Sequence, residues 1–396
     1  MMRILLLVYN MVGRGTYRRA YQFGKHLALR GHAVTLIATS PDQHFRTVVR
    51  EVEGLTLVES PDLLSKSLRS GWDPWNTIQR IKWIAGQDYD IAHLYESRPT
   101  VIFPGLYKKS RGLPLVMDWA DWFGRGGSVE ERKSALVRTI LRPVETYFEE
   151  NFRPQARGAT VICTTLRDKA VSLGTPPEKI LLLPNGSDIE HFFPKDPLAA
   201  RRRLNLPEDV LLVGYIGSVF YQDAVLMARA FDEVYKAIRS ARLLIIGACN
   251  VDIRQLVQQP AAVVQTGIVK EDDLNDYLNS CNVCWLPLND TGANRGRWPL
   301  KLNDYMAAGK PVVATGVGDV VPVIEEHGIG LLSPAHADML AQQAIQLLQN
   351  PALAEAMGRN ARRTAEDHFN WGTLTGKLEC FYQSILSPGS APRTAG

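Results

Sequence analysis

Cysteine is scarce in this chain of 396 residues, five in all, and the five are scattered. An odd, dispersed set does not make a disulfide framework. Cys281 and Cys284 have the spacing of a metal or redox pair, yet no second pair accompanies them and they run into apolar residues 283–286. Two small core residues are the reading that context favours. Excess charge is missing too: 45 lysines and arginines against 41 acids leave a formal +4, too little to indicate a nucleic-acid partner. No apolar run approaches the roughly 20 residues of a membrane span. The apolar start, residues 1–9, gives way at once to polar residues and glycine, so it reads as a first strand and not as a signal peptide. A reducing cytoplasm is the expected location. What remains is ordinary globular composition, 45% hydrophobic and 22% charged, long enough for two domains.

The opening has the order strand, glycine loop, helix, strand: residues 3–9, a loop with Gly13 and Gly15, a helix over 17–30, and a strand over 33–37. That order is Rossmann-like. The third glycine of the dinucleotide fingerprint is absent and no acid follows the second strand at the usual point, which disfavours NAD. Residues 90–95 and 113–124 supply further strand candidates, with His93, Asp118 and Asp121 near their carboxyl ends, where open α/β sheets place ligands. Asp118 and Asp121 fit either substrate chemistry or loop and helix-cap roles; His93 fits a satisfied structural histidine equally well. The glycine-rich loop 124–128 reads as a cover over a cleft or as a plain surface loop. Residues 130–153 are expected to be helical, with Arg132, Lys133, Arg138 and Arg142 among Leu136, Val137, Ile140, Leu141 and Phe148. Together with Lys108, Lys109 and Arg111 this pattern admits a face resting on anionic lipid, but Glu130, Glu131, Glu145, Glu149 and Glu150 dilute the charge and favour a solvated helix face.

The second half opens with a strand at 210–216 and the glycine turn Gly217-Ser218, and continues with strands at 243–247, 263–269 and 283–286. Its most informative run is Trp298-Pro299-Leu300-Lys301-Leu302-Asn303-Asp304-Tyr305-Met306-Ala307-Ala308-Gly309-Lys310-Pro311-Val312-Val313-Ala314-Thr315. Pro299 suits a helix start, Gly309 a helix end, and Val312-Val313-Ala314 a buried strand. Lys301 at the helix start makes an anion site with the free N–H groups there. Asp304, about 4.5 Å further along the axis, is placed for sugar hydroxyls. Phosphate below and polyol above describes a nucleotide sugar.

The run resembles the nucleotide-binding signature of GT-B-fold retaining glycosyltransferases of the glycosyltransferase 4 type (glycosyl transferases group 1). That signature is a glutamate, seven residues, a second glutamate, then Ala-Met-Ala-x-Gly-x-Pro-Val-Val-Ala. Asp304 falls on the second glutamate, which in the family holds the ribose, and Gly296 falls where the first would be, so that half is absent. Pro299-Leu300-Lys301 resembles a variant branch reading Pro-Leu-Lys-x-x-Glu-Tyr-Met-Ala. Leu183-Pro184-Asn185-Gly186-Ser187-Asp188 with Phe192-x-Pro194 resembles the segment that closes the family's first domain. The resemblance covers nearly the whole chain, most strongly from residue 179 onward.

The resemblance implies two Rossmann-like domains facing across a cleft: 1–190 for the acceptor, 191–368 for the donor, a helix at 369–386 returning to the first domain, and a loose tail at 387–396. Donor contacts fall on Gly13, Gly15, Ser218, Ile268, Val269, Arg295, Arg297, Lys301, Leu302 and Asp304. Asp118, Asp121 and Lys301 are the implied catalytic positions. Many relatives carry a histidine at or near Asp118, and an arginine and lysine just beyond the turn that here reads Val219-Phe220-Tyr221-Gln222-Asp223. Lys301, Arg295 and Arg297 are expected to replace that missing charge. The implied reaction moves a sugar, with retention, from a UDP- or GDP-sugar to a glycan, glycolipid or small metabolite, without a cofactor or metal; no Asp-x-Asp motif stands at a donor strand end. Peripheral contact with the inner face of a membrane goes with a lipid-linked acceptor. A nucleotide-sugar epimerase of the same fold and a non-catalytic nucleotide-sugar-binding protein are the alternatives.

Overall fold

A computed structural model describes residues 1–64, 71–219 and 221–387. They form two compact units: Met1–Pro184 with the segment from Trp371 on, and Asn185–Asn370. The expected tail lies, apart from Ser387, outside the described residues.

Among the described residues the first unit has an eight-stranded sheet: β1 (Arg3–Met11), β2 (Ala33–Thr39), β3 (Val48–Val52), β4 (Leu55–Ser60), β5 (Ile91–Tyr95), β6 (Leu115–Trp119), β7 (Gly158–Val161) and β8 (Ile180–Leu182), in the order β3-β4-β2-β1-β5-β6-β7-β8. Every pairing is parallel except β3 with β4. Ile4 to Val8 have no solvent exposure, as expected of a central parallel strand covered by helices on both faces. The β3–β4 hairpin was not apparent from the sequence, because β3 reads Val-Val-Arg-Glu-Val and sits half-exposed at the sheet edge. Glu53 and Gly54 both take positive φ, 47° and 82°, the pair that a tight hairpin turn needs. The helix Trp371–Leu386 completes this unit: Trp371, Leu374, Leu378 and Tyr382 join the core formed by β1, β2 and the helix Tyr17–Leu29. Trp371 meets Phe23 edge-on at 5.1 Å, and Glu379 accepts from Arg30 at 2.6 Å and shares a 2.9 Å hydrogen bond with His32.

The second unit has six parallel strands among its described residues: β9 (Leu211–Ile216), β10 (Ala241–Ile246), β11 (Val263–Gln265), β12 (Val283–Leu286), β13 (Val312–Thr315) and β14 (Gly330–Ser333), in the order β11-β10-β9-β12-β13-β14. The chain moves outward from β9 on one side, then crosses to β12 on the other. A doubly wound sheet takes its ligand at that switch point, beyond the carboxyl ends of the strands. Cys281 and Cys284 are buried free thiols beside Gly214, as small core residues would be.

Candidate functional site

Three glycine turns lie side by side at the carboxyl edge of the second sheet. Gly217, Gly247 and Gly267 follow β9, β10 and β11 with φ of 104°, 119° and 70°, a region that side chains other than glycine rarely adopt. They are stitched together: Gly217 N–H donates to Ile246 O at 2.8 Å, and Gly247 N–H to Gly267 O at 3.0 Å. A Cβ at Gly247 would stand 3.1 Å from Gly217 O. Lys301 enters from the first turn of the helix Leu300–Ala307, which Gly309 ends at φ 66°. Its ammonium lies 4.1 Å from the centre of the Tyr215 ring and donates to the Tyr215 hydroxyl, which in turn donates to Ser218 O at 2.9 Å. A Cβ at Gly217 would be 3.8 Å from Lys301 Nζ, so the lysine rests on the glycine turn. Burial lowers its pKa to about 8; Asp223 and Asp304 oppose the drop and Arg297 reinforces it. Among the described residues no carboxylate forms an ion pair with Lys301. A half-dehydrated ammonium on an open glycine turn, at the positive end of a helix, is a site for an anion.

The other implied donor residues fall unevenly around it. Ser218 is exposed on the Gly217 turn, Val269 is half-buried, and Ile268 is 85% exposed just beyond Gly267. Asp304 is half-buried one turn past Lys301. Arg297 is close enough to act on Lys301, and its Nε donates to Ala293 O at 3.0 Å. Arg295 differs from expectation: it is exposed and held by both oxygens of Asp290, at 2.5 and 2.6 Å. Leu302 has a fully buried side chain, and its N–H donates to Pro299 O at 3.0 Å. Asn303 was passed over by the sequence reading. Its amide donates to Asn185 O and Gly186 O at 2.8 and 2.9 Å and its oxygen accepts from Trp298 Nε1 at 2.9 Å, joining the two motif-bearing segments.

In the first unit Gly13 and Gly15 take φ of 80° and 55° in the loop after β1. Asn10 Oδ1 accepts from Thr16 N–H at 3.1 Å, and a Cβ at Gly15 would press on Asn10 Nδ2 at 2.7 Å. Asp118 is not placed to meet a ligand. It has no solvent exposure, and its oxygens accept from Arg19 Nε and Nη2 at 3.1 and 2.9 Å and from Thr160 Oγ1 at 2.5 Å. His93 continues that network, with Nε2 on Thr160 Oγ1 at 2.9 Å and Nδ1 on the Tyr382 hydroxyl at 2.7 Å. The threonine hydrogen goes to Asp118, so His93 Nε2 carries the imidazole proton and Nδ1 accepts from Tyr382. Burial lowers its pKa to about 3; it is a neutral structural histidine. Asp121 is half-buried at the edge, its N–H held by Glu96 Oε1 at 3.0 Å. Loop 124–128 is tied down, with Gly124 N–H on Glu149, Arg125 N–H on Thr146 Oγ1 and Ser128 N–H on Trp122 O.

The family description Glycosyltransferase Family 4 matches residues 13–191, and Glycosyl transferases group 1 matches residues 209–350. Solved structures that share the fold are GT-B glycosyltransferases. The chain belongs to the GT-B glycosyltransferases. An MMP alpha-(1->4)-mannosyltransferase of Mycolicibacterium hassiacum is 24% identical over 98% of this glycosyltransferase and 99% of its own length. A D-inositol 3-phosphate glycosyltransferase of Stackebrandtia nassauensis is 27% identical over 55% of this chain and 52% of its own, so the chain spans about half the length of that relative. HepE of Anabaena in complex with UDP and glucose matches with a TM-score of 0.68 at 14% identity, over 97% of this chain and 100% of that one.

This glycosyltransferase also carries a buried ionic cluster in its first unit that no motif signals. Glu96, fully buried at φ 72° just after β5, accepts from the N–H groups of Ala120 and Asp121 at 2.8 and 3.0 Å. Burial pushes its carboxyl well above the usual range, and Arg153 opposes the shift. Arg98 pairs with Glu145 at 2.7 Å among the rings of Tyr9, Trp72 and Phe123. Glu149 accepts from Trp119 Nε1 and from the amides of Phe123 and Gly124 at 2.7–3.0 Å. The one local signal was the polar run Glu96-Ser97-Arg98 directly after an apolar strand.

Proposed function

We propose that this chain transfers a sugar from a nucleoside-diphosphate sugar to an acceptor hydroxyl with retention at the anomeric carbon, and that its second unit holds the donor. The observation that carries the reading is Lys301: an ammonium set on the Gly217 turn at the start of a helix, with no carboxylate ion pair among the described residues. Cleaving the glycosidic bond to the diphosphate develops negative charge on the leaving phosphate, and a fixed cation there lowers the barrier. Lys301, the helix start and Arg297 supply that charge from the chain itself, so the proposal needs no metal. Asp304 takes the ribose hydroxyls. The base extends along the row of glycine turns toward Val269 and the exposed Ile268. Two strand spacings, about 10 Å, separate β9 from β11, a span that suits a nucleotide laid from diphosphate to base. Asp121, half-buried at the edge, is the carboxylate assigned to the acceptor or the transferred sugar.

UDP is the favoured nucleotide, since HepE, whose fold this chain shares, binds it. The acceptor class proposed is a phosphorylated polyol, a lipid-linked sugar or a glycan, in line with the names of the relatives, and the location proposed is cytoplasmic. The test is a thermal-shift screen of UDP- and GDP-sugars, in which ligand at a hundredfold its Kd adds about 2.7 kcal/mol. It is followed by NMR of the product anomer. Stabilisation by a nucleotide sugar with product of unchanged anomeric configuration supports the reading. Interconversion of the sugar without acceptor would make the chain an epimerase. Binding with no turnover across an acceptor panel would make it a non-catalytic binder.

A further inference from the structure

The helix Ala135–Asn151 is turned inside out. Its two fully buried residues are Glu145 and Glu149, Leu141 and Phe148 are half-buried, and five other large apolar residues face outward. Leu136 is 70% exposed, Ile140 58% and Tyr147 54%, with Val137 and Val144 exposed beside them. The spacing, 136, 137, 140, 144 and 147, puts all five on one side of the helix. The cause of the inversion is on the buried side: Arg98, the Trp119 indole and the amides of Phe123 and Gly124 require carboxylates there. The core therefore takes the acids and leaves the apolar stripe to whatever lies outside. The outward face is exposed to solvent, but it is the apolar one, and a stripe this continuous is not a surface that water favours.

The stripe does not stop at the helix. Tyr147 meets Phe148 edge-on at 5.5 Å, Phe148 meets Phe103 at 6.4 Å, and Phe103, on the helix Pro99–Lys109, is itself exposed. One turn beyond Phe103 the Tyr107 ring carries the Arg111 guanidinium at 3.8 Å, next to exposed Lys109. At the opposite end, just before Ala135, stands exposed Lys133 with half-buried Arg132. Among the described residues no ion pair occupies Lys109, Arg111 or Lys133, while Glu130 is tied to Arg142 and Glu131 is engaged within the chain. The result is an apolar stripe with cations outside any ion pair at both ends, among the described residues.

We infer that this face docks on an anionic lipid bilayer, with the stripe in the acyl boundary and Lys133, Lys109 and Arg111 among the headgroups. Apolar insertion and cation–headgroup attraction act together there. A second copy of this chain is the poorer occupant. Both ends of the stripe are cationic, so laying one stripe on another in either direction sets cation against cation. The inference does not rest on the donor site in the second unit, and its failure leaves that site untouched.

The test is cosedimentation of the full chain with vesicles of phosphatidylcholine containing about a third phosphatidylglycerol, against phosphatidylcholine alone. The expected result is pelleting with the anionic vesicles, weakened by salt, and a loss of at least about tenfold in the double variant Leu136→Ser, Ile140→Asp. Both changes are at exposed positions, and an unchanged melting temperature shows that the variant is folded. Three outcomes overturn the inference: no pelleting of the parent chain, pelleting that survives the double variant, or light scattering that reveals a dimer the variant dissolves.

Discussion

Replacing Lys301 by methionine isolates its charge, because methionine keeps an unbranched apolar stem against Gly217 and the Tyr215 ring. A hydrogen bond to an ionised partner contributes about 1.5–3 kcal/mol. Removing it should therefore raise the Kd for UDP by roughly 10- to 150-fold. The pH dependence gives a second, independent reading. The Lys301 pKa is lowered to about 8 by burial, so in the free protein the ammonium is half lost at that pH. A diphosphate favours the charged form, so binding above pH 8 must take up a proton and weakens by up to about tenfold per pH unit. For folding the sign is reversed. The unfolded chain holds its lysine proton up to about 10.5, and stability gains from this group as pH rises from about 8 to that value. Affinity and stability must therefore be read separately. Isothermal titration with UDP between about pH 7 and 9.5, above the second ionisation of the terminal phosphate, reads the affinity and its pH dependence. The parent chain should lose affinity across the range and Lys301→Met should be weak and flat. A variant Kd within about twofold of the parent, with the parent's slope, would refute a phosphate-binding role for Lys301.

Other consequences concern the scaffold. Gly247→Ala puts a side chain at φ 119° and 3.1 Å from Gly217 O; a strain of about 1–3 kcal/mol should appear as weaker UDP binding and a lower melting temperature. Asp118→Asn removes the charge partner of buried Arg19, and urea titration should show about 3–5 kcal/mol less stability. Tyr382→Phe leaves His93 Nδ1 without its donor and should cost about 1–3 kcal/mol by the same measurement. Because the His93 pKa is lowered to about 3, between about pH 6.5 and 3 the unfolded chain binds a proton there that the folded chain does not. The stability advantage of the parent over His93→Gln should shrink by up to about 1.4 kcal/mol per pH unit through that window. Glu96, raised by burial, works in the opposite direction, so the comparison must be made against the variant.

What could be read from the sequence was written in local punctuation. Apolar runs ending in glycine marked β9, β10 and β11, because a strand that must turn at once into a ligand edge needs positive φ at its end. Pro299 and Gly309 bracketed the helix that carries Lys301 to within a residue. The same rule misled at Asp118. Its place at the carboxyl end of β6 is as expected, but position along a strand says nothing of depth. Its partners, Arg19 and Thr160, lie 99 and 42 residues away in sequence, so the ion pair that closes it off has no local trace. Leu302 and Arg295 show the same limit. The signature fixes the backbone around them, while the burial of one side chain and the Asp290 partner of the other are settled by tertiary neighbours.

The helix Ala135–Asn151 carries this furthest. Its periodicity shows two faces, one apolar and one acidic, and hydrophobicity alone would bury the first. The orientation is decided by demands outside the helix. The buried guanidinium of Arg98 and three N–H donors from Trp119, Phe123 and Gly124 would each be left without an acceptor if an apolar face turned inward. An unmet buried donor costs about 1–3 kcal/mol, and more for a charged one. Exposing a large aliphatic side chain costs about 1.5–3 kcal/mol, so the two orientations are close in water. A bilayer against the outer face would recover the second cost without reinstating the first. If that is why the acids are inside, Glu149→Gln, which keeps an acceptor oxygen but drops the charge, should be tolerated better than Glu149→Leu. Chemical denaturation of the two variants separates these cases, and equal losses would show that packing and not acceptor demand sets the orientation.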